Sequence, residues 1–350
     1  MAVTAQSRAR SDVQPRLRVL QSFRTPRTTT NPYLVQLRDA LGASADVRTF
    51  SWRAALLEPF DVLHVHWPEV VVERRSRVRH LAACVLFALA VRRASSRGRV
   101  LVRTVHNLAP HEEPDRASAA VLRSCDARTA WWIRLTDRTP VPDEARVTTV
   151  PHGDYVAWFA DRPRAEVVPG TIAYVGLIRP YKGVEDLLDV VATMPDPGLR
   201  LVVAGSPADD ETRRVLEQRA AADPRVVLDL RYLDDTALVE RLTSAELVVL
   251  PYRRMHNSGA LLLALSLGRP VLAPRTDVNT DLAHEVGERW VQQYDGDVSA
   301  DAIRRALEAV RADPHPAPPD LSARTWPVVA DGHLAAYRDA LELARGRVAR

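Results

Sequence analysis

Lysine and asparagine are nearly absent from this sequence. Of its 48 basic residues one is a lysine, Lys182, and asparagine occurs only as Asn31, Asn107, Asn257 and Asn279. Such a bias is typical of a GC-rich genome, and the residues that persist against it are more often needed than average. A compact ammonium group differs chemically from the planar guanidinium fork of arginine. We therefore expect a function for Lys182, although chance survival at a tolerated surface position is the simpler alternative.

Cysteine and long apolar runs are also scarce. Cys84 and Cys125 lie far apart, which fits a reducing cytoplasm and predicts no disulfide framework. There is no run of eighteen apolar residues, so we expect no transmembrane helix. The polar, arginine-rich stretch 1–18 lacks the apolar segment of a signal peptide. The net charge of +4 favours anionic partners such as nucleotides, and no nucleic-acid-binding motif is recognisable.

Short apolar runs alternate with helical patterns along the 350 residues. This alternation indicates parallel sheets covered by helices, and the length suits two Rossmann-like α/β domains. The predicted strands are 17–22, 46–50, 62–66, 100–106, 131–135, 147–151, 171–175, 199–204, 226–230, 247–250 and 270–273. The predicted helices include 34–41, 184–193, 210–222, 236–243 and 258–267.

Proline-rich breaks set the expected domain boundaries. Two prolines interrupt 160–170, and four interrupt 312–321. We therefore predict a flexible basic N-terminus, two Rossmann-like domains and a C-terminal helix that packs toward the first domain. Their predicted bounds are 1–16, 17–165, 166–324 and 325–350.

One loop concentrates basic groups after a predicted strand. The strand ends at Gly176, and the loop then presents Arg179 and Lys182 before a helix begins. Ligands of open α/β sheets bind beyond the carboxyl ends of the strands. A guanidinium and an ammonium there can stabilise a departing pyrophosphate. From spacing alone, two basic residues on an exposed turn remain the favoured alternative.

A second motif precedes an apolar helix. Tyr252 follows a predicted strand, and the helix opens with Asn257, Ser258, Gly259 and Ala260. Asn257 or Ser258 suits the N-cap, and the free N–H groups behind it can bind a diphosphate. Gly259 allows a ligand close to the backbone. An ordinary capped core helix explains the motif equally well.

Segments 175–183, 204–206, 250–252 and 258–270 resemble, in order and spacing, the donor half of the GT-B glycosyltransferases. The resemblance implies a nucleotide-sugar donor bound by Gly176, Arg179 and Lys182, by Tyr252, and by 257–260. It implies an acceptor-binding domain at 17–165 and a nucleotide-sugar-binding domain at 166–324. It also implies no cofactor and no metal, because side chains handle the pyrophosphate.

The sequence departs from the pattern of many retaining members of this group. Those members carry one glutamate shortly before the helix predicted at 258–267 and a second glutamate within it. Met255 and Leu263 occupy those positions. The absence of both glutamates, together with the Asn-Ser-Gly-Ala motif at 257–260, makes the chain more similar to bacterial exopolysaccharide transferases than to those retaining members. These transferases include xanthan-type β-mannosyltransferases that use GDP-mannose.

Loops of the first half supply candidates for acceptor binding and for a general base. Each follows a predicted strand, so each is expected to open toward the cleft between the domains. An inverting transfer needs a base for the acceptor hydroxyl, and we expect it among His106, Glu112 and Glu69. His64 and His66 lie at the end of one predicted strand without a complete metal ligand set, so no metal site is predicted. Acceptor contacts are expected from Asn31, Tyr33, His66, Trp67, Asn107 and His111.

An apolar stretch, 81–91, lies between two arginine clusters. Eleven residues are too few to span a bilayer. A buried core helix is the simpler interpretation, and an interfacial helix against anionic headgroups is the alternative. The latter would suit a polyprenyl-diphosphate-linked acceptor and peripheral contact with the inner face of the plasma membrane.

Together these features predict a glycosyltransferase of exopolysaccharide or glycolipid synthesis, with a lipid-linked or saccharide acceptor. Mannose from GDP-mannose is the donor that the narrower resemblance implies. One alternative is a sugar-nucleotide epimerase of the same fold. Another is a catalytically inactive GT-B-like partner protein, which the missing glutamates permit and the retained Lys182 argues against.

Overall fold

A computed structural model describes residues 16–96, 98–106, 115–313 and 317–348. The predicted flexible terminus, 1–16, lies almost wholly outside them. The described strands form two six-stranded sheets. The first holds β1 Arg18–Gln21, β2 Asp46–Thr49, β3 Val62–Val65, β4 Val100–Val105, β5 Trp131–Arg134 and β6 Val147–Thr149. The second holds β7 Thr171–Val175, β8 Arg200–Ala204, β9 Val226–Asp229, β10 Leu247–Val249, β11 Val271–Pro274 and β12 Val291–Tyr294.

Helices connect the strands, and many begin after a side-chain cap. The capping oxygen accepts a hydrogen bond from a first-turn N–H, as at Ser51, Asp115, Asp209, Asp234, Thr276 and Ser299. The first-domain helices are α1 Pro32–Gly42, α2 Trp52–Leu56, α3 Pro68–Val72, α4 Arg77–Ala94 and α5 Arg116–Arg128. The others are α6 Val184–Thr193, α7 Asp210–Ala220, α8 Asp235–Thr243, α9 Gly259–Ser266, α10 Asp277–Val286, α11 Ala300–Ala312 and α12 Trp326–Val348.

All strand pairs are parallel, which confirms the predicted fold class. The sheet orders are β2-β1-β3-β4-β5-β6 and β12-β11-β10-β7-β8-β9. In the first sheet the order reverses between β1 and β3, and in the second between β7 and β10. Such switch points open a crevice at the carboxyl ends of the strands. The loops that carry the motifs leave from these ends.

The last helix crosses back to the first domain, as predicted. Val329, Leu334 and Tyr337 of α12 are buried in the same core as α1 and β4. At the start of α12, Trp326 Nε1 donates a 2.8 Å hydrogen bond to the Asp154 carbonyl.

The second core reaches back beyond the predicted boundary at 165/166. Tyr155 and Phe159 lie before that boundary, and both pack into the second core. The connection between the sheets is therefore anchored on the second domain.

Strand β12 is the one described strand that the sequence pattern did not predict. Its sequence, Val-Gln-Gln-Tyr, buries only its two end residues fully. Because the central glutamines break the apolar run, the pattern used for the other strands does not recognise it.

Candidate active site between the two sheets

A cleft of about 1140 Å³ lies between the two switch points. This exceeds the ~300–1,000 Å³ usual for one small-molecule site, so there is room for two substrates. The first domain contributes Asn31, His66, Trp67, Glu69 and His106 to its walls, and the second contributes Tyr181, Asn257 and Gly259.

The Arg179–Lys182 loop carries unneutralised positive charge. Among the described residues neither side chain forms an ion pair, and Arg179 Nη1 donates only to the Ile178 carbonyl. Lys182 Nζ lies 5.1 Å from the Tyr252 ring centroid, within cation–π range. Burial lowers the pKa of Lys182 to about 8, and the charge of Arg179 adds to the shift. The loop therefore has two positive side chains available to bind an anion.

Gly183 fixes the turn that presents Lys182. Its φ of 61° lies in the left-handed region, and a β-carbon there would collide with the Pro251 carbonyl. The turn thus packs directly on the end of β10. Both predicted donor motifs meet at the second switch point.

Helix α9 offers free backbone N–H groups to the cleft. Ser258 caps it by accepting a 3.3 Å hydrogen bond from Leu261 N. The first N–H groups of a helix lack intrahelical partners, so Gly259 and Ala260 can donate to an anion. A β-carbon at Gly259 would lie 3.2 Å from the Tyr155 hydroxyl, a tight contact that glycine avoids.

Three histidines at the ends of β3 and β4 form a buried cluster in the first domain. His66 Nδ1 and His106 Nε2 are 3.0 Å apart, and His66 Nε2 lies 2.7 Å from Gln21 Oε1. His64 is hydrogen-bonded to Thr104 Oγ1 and to the Tyr337 hydroxyl, each at 2.7 Å. Every described ring nitrogen of His64 and His66 thus has a partner.

These histidines are neutral at physiological pH. Burial lowers the pKa of His64, His66 and His106 well below the usual histidine value, and neighbouring histidines lower it further. Burial also lowers the pKa of His152 and of His333 to about 4. A neutral imidazole is the form that accepts a proton.

The His106 ring is held by aromatic contacts. Trp67 stacks on it, with ring centroids 4.0 Å apart, and Tyr33 meets it edge-on at 5.1 Å. Asn257 Nδ2 donates a 3.0 Å hydrogen bond to the His106 carbonyl. This bond ties the donor motif to the acceptor side.

Other acceptor-side candidates have structural roles. Asn31 caps α1 by accepting a hydrogen bond from Tyr33 N. Tyr33 is fully buried, so it supports the histidine rings and offers no surface to an acceptor. Glu69 lies in α3 and lines the cleft. Asn107, His111 and Glu112 lie outside the described residues.

Several residues of this region were not singled out in the sequence. Gln21 directly follows the buried apolar pair Val19 and Leu20 in β1, and a polar residue in a buried part of a strand is a detectable signal. His152 and Tyr337 gave no comparable signal, because their partners lie far away in the chain.

The two positions that carry glutamates in many retaining enzymes are apolar here. Met255 and Leu263 are partly buried and pack against the second core. Met255 Sδ accepts a hydrogen bond from Asn279 Nδ2 at 3.3 Å. The described residues contain no group of three His, Cys, Asp or Glu side chains arranged to hold a metal ion.

Comparison with known proteins identifies the family. A model of the group 1 glycosyl transferases matches residues 169–309, which contain both donor motifs. GDP-mannose:glycolipid 4-beta-D-mannosyltransferase of Xanthomonas campestris pv. campestris is 45% identical over 332 residues, covering 95% of each chain. The chain belongs to this glycosyltransferase family.

Solved structures agree with this assignment at the level of the fold. Anabaena Alr3699/HepE in complex with UDP superposes with a TM-score of 0.59 and 12% identity, covering 95% of this glycosyltransferase and 98% of that chain. AviGT4, a glycosyltransferase of avilamycin A biosynthesis, gives a TM-score of 0.57 and 17% identity, covering 93% and 98%. The match to the group 1 family and to the 45% identical mannosyltransferase confirms the predicted glycosyltransferase activity, and the epimerase and inactive-partner alternatives gain no support.

Proposed function

We propose that this glycosyltransferase transfers mannose from GDP-mannose to a hydroxyl of a glycolipid and forms a β-linkage. The names of its curated relatives support this donor and acceptor. The observation that carries the proposal is the hydrogen bond from Asn257 to the His106 carbonyl. It joins an anion-binding wall and a neutral imidazole across one cleft.

The donor diphosphate is assigned to the wall formed by the second domain. Arg179 and Lys182 approach it from one side, and the N–H groups of Gly259 and Ala260 approach from the other. The bond from mannose C1 to the phosphate oxygen breaks, and the electron pair remains on the GDP. Positive groups aimed at the developing charge lower the barrier to this step.

The acceptor hydroxyl attacks C1 from the opposite face of the sugar and loses its proton to a base. We assign this role to His106, because its neutral ring lines the cleft. Glu69 lines the same cleft and is the second candidate within the described residues. A single displacement of this kind inverts the anomeric centre.

No metal or other cofactor takes part in this proposal. The cations at the diphosphate are Lys182 and Arg179, which do what a divalent ion does in metal-dependent transferases.

A face of α4 is proposed to rest on the membrane that carries the acceptor. One side of this helix is buried in the first domain, including Phe87 and Val91. The other side exposes an apolar stripe: Val78, Leu81, Val85 and Leu89. Both interpretations of the apolar stretch therefore have support, because α4 is a core helix with a second apolar face.

Arginines beside this stripe favour an anionic partner. Arg74, Arg75 and Arg77 line the cleft and form no ion pair with a described carboxylate. Burial and the nearby charge of Arg24 lower the pKa of Arg74. A polyprenyl-diphosphate-linked acceptor would bring two phosphates to this position. Arg93 has a different role, since it donates to the Ala55 and Glu58 carbonyls within the fold.

The proposed location is peripheral, on the inner face of the plasma membrane. None of the helices described is long and apolar enough to cross a bilayer. Contact through the α4 stripe and the arginines would place the cleft beside the glycolipid headgroup.

Two measurements test the proposal. Thermal unfolding with a panel of nucleotide sugars is expected to show the largest stabilisation with GDP-mannose, because a ligand that binds the native state raises its melting temperature. Proton NMR of fresh product is expected to show a β-anomeric coupling. Preference for a uridine donor contradicts the donor assignment, and an α-linked product contradicts inversion.

A further inference from the structure

The buried hydrogen bonds of Gln21, His66 and His106 form one chain. It runs from the end of β1 through the end of β3 to the end of β4, which are neighbouring strands in the first sheet. His66 is only 3% exposed and Gln21 is fully buried, so water does not compete for these bonds. Which group donates and which accepts in each of these hydrogen bonds is therefore decided by the protein groups alone.

The Gln21 amide fixes the direction at the start of the chain. Its Oε1 faces His66 Nε2 at 2.7 Å. The oxygen of the amide therefore faces His66, while Nε2 of Gln21 is buried without a hydrogen-bond partner among the described residues.

From this start the tautomers follow in order. A carbonyl oxygen only accepts, so His66 carries its proton on Nε2. A neutral imidazole has one proton, which leaves His66 Nδ1 as an acceptor. The group 3.0 Å from it is His106 Nε2, which therefore donates. His106 Nδ1 is left without a proton, and it forms no hydrogen bond to the described residues.

We infer that Gln21 and His66 are positioning residues that hold His106 in the tautomer whose bare Nδ1 faces the cleft. The inference rests on the proposed role of His106 as the base. When the acceptor oxygen attacks, its proton passes to His106 Nδ1, and Nε2–H still donates to His66. The ring becomes an imidazolium without breaking the chain, and the proton later returns to solvent.

The opposite tautomer would stop the reaction. If His66 donated through Nδ1, His106 would carry its proton on Nδ1 and would have no lone pair to offer the acceptor. The titratable and charged groups that face His106 are His66, His152, His333, Tyr33 and Arg103. None of the described ones supplies a carboxylate that would orient the ring instead.

The tautomer can be measured without turnover. In the full-length protein labelled with ¹⁵N-histidine, long-range ¹H–¹⁵N spectra distinguish protonated from bare ring nitrogens, and comparison with His106→Gln identifies the His106 signals. We expect the proton on Nε2 and a bare Nδ1. A proton on Nδ1 of wild-type His106 overturns the inference, whatever the activity of the enzyme.

Substitutions at Gln21 test the same chain through the pH profile. Gln21→Glu keeps the acceptor and adds a negative charge, which raises the pKa of the His66–His106 pair. We expect its turnover to be retained at alkaline pH and its acid limb to move to higher pH. Gln21→Met removes the acceptor, and we expect turnover to fall roughly tenfold, the size of one lost hydrogen bond.

Thr104→Val is the matched control. It removes an equally buried 2.7 Å hydrogen bond to a neighbouring histidine, His64, that does not lead to His106. Its acid limb should coincide with that of the wild type. An acid limb of Gln21→Glu that also coincides with the wild type contradicts the inference. Full turnover in His106→Gln would instead contradict the proposed base, while the tautomer measurement stands by itself.

Discussion

The side-chain amide of Asn257 donates a hydrogen bond of 3.0 Å to the backbone carbonyl of His106. His106 follows a strand of the first sheet and Asn257 lies in a loop of the second domain, 151 positions away in the chain. This bond therefore helps to hold the proposed leaving-group wall beside the proposed base.

Asn257→Ala should slow turnover by roughly tenfold, the effect of one lost hydrogen bond of ~1.4 kcal/mol at most. Asp281→Asn is the control, because it weakens the exposed Arg138–Asp281 pair, which also joins the two domains but lies away from His106. Initial rates at saturating substrates measure both. Equal losses in the two variants would mean that domain contact in general, and not this bond, controls the rate.

Lys182→Ala and Arg179→Ala should each lower kcat by ~10²–10³, because each removes a positive group from the departing diphosphate. Circular dichroism should show both variants folded, since neither side chain forms an ion pair with a described residue. Arg254→Ala is the control, because Arg254 is an exposed arginine in the second motif, shortly before Ser258. Rates near wild type in both variants would remove the loop from the donor site.

The value of kcat/KM for the donor should fall as the pH rises above about 8. The pKa of Lys182 is lowered to about 8, so its ammonium is charged below that pH and neutral above it. Bound diphosphate favours the charged form, so the alkaline limb of kcat should lie at higher pH. Lys182→Arg keeps its charge far above pH 8 and should lack this limb. A limb that is unchanged in Lys182→Arg belongs to another group.

Chelation should leave the activity unchanged. Lys182 and Arg179 supply the positive charge that a metal ion would otherwise bring to the diphosphate. Assays with excess EDTA, and with added magnesium or manganese, measure this directly. Activity that is lost in EDTA and restored by either metal would contradict the proposal.

The exposed stripe of α4 should bind vesicles of anionic phospholipid. Replacing Leu81 and Val85 together by serine removes two apolar side chains that are 53% and 61% exposed, so bound protein should fall by roughly tenfold or more. Val227→Ser, at an exposed position of the second sheet, is the control. Co-sedimentation that is equal for all three proteins would place membrane contact elsewhere.

The sequence predicted the donor side more completely than the acceptor side. Gly176, Lys182 and Ser258 follow their strands in short local motifs, and the resemblance to the GT-B donor half predicted that they share one site. Helix α6 and strand β7 have the predicted bounds, because their apolar patterns are local too. The domain bounds and the individual site roles stay predictions.

The histidine cluster depends on contacts that no local pattern records. Gln21 meets His66 from 45 positions away, and Tyr337 meets His64 from 273 positions away. His66 was expected to contact the acceptor, yet both of its ring nitrogens are used within the protein. Which polar side chain faces a substrate and which faces another side chain depends on strand order, and that order is a property of the whole chain.

The return of α12 to the first sheet has a consequence for synthesis on the ribosome. The first domain emerges early, but Leu334 and Tyr337 of its core are made after the whole core of the second domain. Until they leave the exit tunnel, His64 lacks its Tyr337 partner and the apolar face of α1 stays uncovered. The second domain, whose core lies within a continuous stretch of chain from Tyr155 to Leu321, can be complete before the first. The first domain is therefore the first to begin synthesis and the second to complete its core.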